Sequence, residues 1–96
     1  MIAVHRNYLL QNAKHWHAHV AVNPVGIIDI EIKENHVHHS SSFDDLQFES
    51  IANKTRLRGQ GNSTQWEVML SDHDALELSH LIHEANEELE TLLRDL

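Results

Sequence analysis

Residues 15–22 read His-Trp-His-Ala-His-Val-Ala-Val, and their strict alternation decides the fold class. Trp16, Ala18, Val20 and Val22 fall on one side, and His15, His17, His19 and Ala21 on the other, the period-2 signature of a half-buried strand. Asn23-Pro24-Val25-Gly26 follows with turn chemistry. Residues 27–34 then resume the alternation, with Ile28, Ile30 and Ile32 on one face and Asp29, Glu31 and Lys33 on the other. The two runs predict a hairpin. A one-residue slip would set the isoleucine face against the histidine face, so only registers that match the faces survive. With Val20 opposite Ile28, His19 faces Asp29 and His17 faces Glu31. With Val20 opposite Ile30, His19 faces Glu31 and His17 faces Lys33.

Working outward, residues 51–58 and 63–70 flank the turn-rich Gly59-Gln60-Gly61-Asn62, and Trp66, Val68 and Leu70 share a face, which predicts a second hairpin. Ser71-Asp72-His73-Asp74 supplies an N-cap and early carboxylates at the positive end of a helix dipole. Leu78, Ile82, Ala85, Leu89, Leu92 and Leu96 then recur at alternating steps of four and three, an amphipathic helix. At 1.5 Å per residue it would run roughly 36 Å, whereas strands of six to eight residues reach only about 20–27 Å. The helix is therefore expected to overhang its sheet. Residues 40–50 read as a loop with one helical turn near Ser42, Asp44 and Asp45, within a stretch, 36–50, that the sequence leaves open, and residues 2–13 suit a strand or a short helix equally. Together these pieces predict an α+β fold in a single domain, residues 1–96. An antiparallel sheet of four to five strands, built by residues 1–70 from two hairpins, is covered on one face by the helix of residues 71–96.

Composition narrows function chiefly by exclusion. The chain has 96 residues, 41% hydrophobic and 23% charged, the profile of an ordinary globular domain. Cysteine is absent, which excludes disulfides, thiolate catalysis, cysteine-type zinc sites and iron–sulfur clusters. No apolar run approaches the roughly 20 residues that span a bilayer, and residues 1–11 lack the apolar core of a secretory signal, so a cytoplasmic protein with no membrane contact is expected. Residues 71–96 hold eight acids and one base, Arg94, so nearly all of the formal charge of −8 sits on the helix. Direct nucleic-acid binding needs clustered cations, and the only cluster is Lys54, Arg56 and Arg58. Gly59-x-Gly61 lacks the rest of a phosphate loop, and His80-Leu81-Ile82-His83-Glu84 is not the zinc-peptidase pattern. A non-enzymatic chain is the expectation.

Two constellations remain. On the helix, Glu77, Glu84, Glu88 and Asp95 fall in a narrow stripe beside the apolar seam, an acidic row able to meet a basic or nucleic-acid-binding surface on a protein partner, even as a nucleic-acid mimic. Leu89, Leu92 and Leu96 at the overhanging end would contact that partner or a second copy in a homodimer. His73/Glu77, His80/Glu84 and His83/Glu87 are spaced to pair along the helix. On the first hairpin, His15, His17 and His19, with Asp29 or Glu31 from the next strand, form a candidate set for zinc, nickel or copper; no other cofactor is expected. Small, acidic, cysteine-free α+β chains are a recurring profile among immunity proteins, antitoxins and phage anti-defence proteins, a likeness of size and charge alone. The leading expectation is a protein-binding regulator or inhibitor of that kind that presents its acidic helix. The alternative is a metal-binding module built on the histidine strand.

Overall fold

The computed structural model describes residues 2–12, 14–61 and 64–94 and shows an α+β fold. Its elements in chain order are β1 (Val4–Leu9), β2 (His17–Asn23), β3 (Ile27–Ile32), β4 (Val37–Ser42), a single 3-10 turn (Phe43–Asp45), β5 (Gln47–Ile51), β6 (Lys54–Gln60), β7 (Gln65–Ser71) and α1 (Asp72–Arg94). The strands form two antiparallel meanders, β1-β2-β3-β4 and β5-β6-β7. Both expected hairpins are present, as β2-β3 and β6-β7, and the seven strands divide into a four-stranded and a three-stranded sheet. β1 lies in the stretch whose state the sequence left open. β4 and β5 occupy what reads as loop, and the one helical turn expected there separates them.

Register settles the choice left by alternation. Val20 lies opposite Ile30, and His19 opposite Glu31. The β2-β3 turn is closed by the Gly26 N–H donating to Asn23 O at 3.0 Å and the Val25 N–H donating to the Asn23 side chain at 3.1 Å. Gly26 sits at φ +105°, where a side chain would be strained.

One hydrophobic cluster unites both sheets and the helix. It takes the inward residues Tyr8, Ala18, Val20, Val22, Ile28, Ile30 and Ile32 from the first sheet, Leu57, Trp66, Val68 and Leu70 from the second, and Ala75, Leu78 and Ala85 from α1. Each large side chain so buried is worth about 1.5–3 kcal/mol. The sheets also meet at both margins. The Gln11 N–H donates to Met69 O at 2.8 Å beside β7, while the Gln60 N–H donates to the Ser41 hydroxyl at 3.3 Å beside β4. Trp66 lies flat over Gly59, where any β-carbon would collide with its ring, and stacks on His39 with ring centres 5.3 Å apart.

β7 runs straight into α1. The Ser71 hydroxyl accepts the Asp74 N–H at 3.1 Å, the expected N-cap, and the Thr55 hydroxyl ties Asp72 to β6 at 2.7 Å. α1 packs on β2, β6 and β7. Leu89, half-buried, lies against the β2-β3 turn, 3.5 Å from where a Gly26 β-carbon would stand, and every described helix residue after it is exposed. The molecule measures 47 × 26 × 22 Å.

Candidate functional site

The 23-residue helix carries seven acids and one base within its described length. These acids do not act as one row. Glu77 is committed to the fold, because the buried Tyr8 hydroxyl donates to its Oε1 at 2.8 Å and Arg6 Nε lies 3.7 Å from the same oxygen. Burial, reinforced by Glu77, pushes the Tyr8 phenol far above its ordinary range. Glu84 and Glu87 face His80 and His83 one turn back, at 2.9 and 3.1 Å, as the i, i+4 spacing predicts. Glu88 is exposed. Asp95 and Leu96 lie outside the described residues.

The leucine seam divides at Leu89. Leu78 is fully buried, Leu89 is half-buried, and Leu92 and Leu93 are 43% and 59% exposed. Leu93 escapes a search for seam periodicity because it stands one residue past the stripe, yet both leucines are uncovered once the body ends. Exposed Glu87, Glu88 and Glu90 precede them in the chain, and exposed Arg94 follows them directly. The result is a short apolar tip within a strongly negative setting.

The histidine strand is arranged differently from the alternation reading. His15 is not in β2; the chain bends there, with His15 in the left-handed region at φ +50°. His17 turns to the β3-β4 turn, where its ring Nδ1–H and backbone N–H both reach Glu34, at 2.7 and 2.8 Å. Those bonds hold the Glu34 carboxyl below its ordinary range. Glu31, although opposite His19, accepts from Lys33 at 3.2 Å and lies 3.5 Å from His38. The Lys33 bond leads the interactions that lower its carboxyl. Asp29 stands opposite Ala21 and Ser40. His15, His17, His19, Asp29 and Glu31 are therefore not brought together. Among the described residues, no three His, Asp or Glu side chains converge as a metal site. His19 instead meets β1, a strand whose outward residues could not be assigned from sequence. Its rings and those of His5 stack with centres 5.2 Å apart, and its Nδ1–H donates to Asn7 Oδ1 at 2.9 Å.

Elsewhere, a groove of about 680 Å³ opens between the sheet margins, lined by Ser40, Ser42, Asp45, Gln60 and Trp66 among others. Its buried hydroxyl, Ser41, donates to Ser42 O and accepts from the Gln60 N–H, so it is tied to backbone on both sides. Arg56 and Arg58 each stand between Glu49 and Glu67 at 3.6–3.9 Å, which neutralises the cationic pair. No helix among the described residues is long and apolar enough to cross a membrane. No protein-family model, curated protein or solved structure matches the chain.

Proposed function

We propose that this chain is a non-enzymatic protein-binding regulator whose projecting helix end docks on a basic surface of a protein partner. The observation that carries this is the exposure of every described α1 residue beyond Leu89, with Leu92 and Leu93 uncovered just after Glu87, Glu88 and Glu90. Exposed apolar side chains that follow a run of three glutamates fit an interface whose leucines supply contact and whose acids supply steering and selectivity. A formal net charge of −8 sets such helices against one another, so a basic heterologous surface is favoured over a second copy. Glu77 is no part of the contact, since Tyr8 and Arg6 engage it; Glu84 and Glu88 carry the acidic stripe instead. The neutralised Arg56 and Arg58 support a protein target over direct nucleic-acid contact.

The test is affinity capture from an extract of the producing cells, with three forms of the full chain that keep the same circular dichroism. These are the native chain, Glu84→Lys/Glu88→Lys and Leu92→Ser/Leu93→Ser. We expect the native chain to retain one protein stoichiometrically at about 0.15 M salt, to release it as salt screens the contact, and both variants to lose it. Equal capture by all three forms, or a partner that resists salt and charge reversal alike, would overturn the proposal. Sedimentation of the purified native chain tests the homodimer, which would dissociate in Leu92→Ser/Leu93→Ser.

A further inference from the structure

The outer face of the first sheet, remote from α1, holds an arrangement that the helix contact does not use. Successive outward positions of β1 are His5 and Asn7, and Asn7 lies opposite His19 in β2. His5 Nδ1 is 3.1 Å from His19 Nε2. On its far side His19 is anchored, because Asn7 Oδ1 can only accept and His19 Nδ1 must carry the proton of their 2.9 Å bond. Nε2 is thereby left as the lone-pair nitrogen, turned toward a second imidazole nitrogen.

We propose that His5 and His19 form a two-imidazole seat for a divalent transition-metal ion of the copper and nickel class, with Asn7 as the residue that positions His19. Metal–imidazole bonds are about 2.0–2.1 Å, and two nitrogens 3.1 Å apart subtend about 98° at an ion bound to both. That angle lies between the ~90° of tetragonal and the ~109° of tetrahedral coordination, so one ion can reach both nitrogens once the two rings turn their lone pairs from each other toward it. The angle leaves the metal open, and the affinity order of imidazole sites places Cu²⁺ first. Asn7 plays the part usual for a partner hydrogen-bonded to a ligating histidine, holding both tautomer and ring orientation.

Without metal the two facing nitrogens share one proton. On binding, the His5 proton passes from Nδ1 to Nε2 through solvent, two nitrogen–metal bonds form, and two metal-bound waters leave, with no net change of charge on the protein. Glu31 faces His19 from β3 but is engaged by Lys33 and His38. Among the described residues no third ligand converges, so the remaining coordination positions belong to water or a small exogenous ligand.

Calorimetric titration of the untagged full chain with Cu²⁺ at pH 7.5 tests this. We expect one ion per chain in the micromolar range. His5→Ala and His19→Ala should each weaken binding at least 30-fold, and Asn7→Leu about 10-fold. His17→Ala and His80→Ala/His83→Ala should leave it within twofold. Because His5, Asn7 and His19 lie on the outward face of the sheet, circular dichroism of each variant should match the native chain. Unchanged affinity in His5→Ala would overturn the proposal, as would loss of the stoichiometric site in the His80/His83 variant.

Discussion

His39 shows how one side chain can be both packed and titratable. It stacks on Trp66 in the margin between the sheets, and burial, followed by the neighbouring His38, pulls its pKa below the ordinary 6.5. The unfolded chain then binds the proton more readily than the folded one. Stability from this residue is therefore complete above pH 6.5 and falls as pH drops through that value toward the lower folded one. We expect the urea midpoint to decline between pH 7.5 and 5.5, and to decline less steeply in His39→Phe, which keeps an aromatic on Trp66 and cannot titrate. Equal slopes would show that His39 does not contribute. Glu31 and Glu34, whose carboxyls are lowered, act in a separate window: their stability is present above the ordinary 4.5 and is lost in more acidic solution.

Among the elements, the two-residue turn between β5 and β6 carries visible strain. Ala52 adopts φ +53°, the left-handed region in which a β-carbon costs about 1–2 kcal/mol. Ala52→Gly removes that cost at the expense of greater freedom in the unfolded chain. The net expectation is a gain of about 0.5–1 kcal/mol in urea unfolding, and a lower midpoint would mean that the turn is relaxed as it stands. β2, β3 and α1 were legible because their inward positions are apolar at an unbroken period. β4 was not, since its one buried side chain is the polar Ser41, whose hydroxyl accepts from the Gln60 N–H. β1 was ambiguous for a similar reason. One of its inward positions is Arg6, whose head group reaches Glu77 on the helix. β5 is an edge strand with four of its five residues exposed and offers no buried face to read.

For the molecule as a whole, the helix is packed scaffold up to Leu89 and exposed beyond it, and substitution should separate the two. Leu78→Ala, at a fully buried position, is expected to cost about 2–5 kcal/mol in urea unfolding. Leu92→Ser/Leu93→Ser should change stability by no more than about 0.5 kcal/mol. A large loss in the second variant would place those leucines in the fold. Periodicity and capping chemistry, both local properties, were enough to predict the α+β class, the two hairpins and the Ser71 cap. The pairing of Glu77 with Tyr8, 69 positions away, and of His19 with His5 across a strand boundary had no local signal. Both arise only when strands with unremarkable patterns are placed side by side. For the same reason the run of histidines, regular along the chain, came apart in space, and Glu77 and Glu84, on one helix, took different partners. Period places a side chain on a face, but the neighbour that engages it is chosen by the packing of distant elements around a common core.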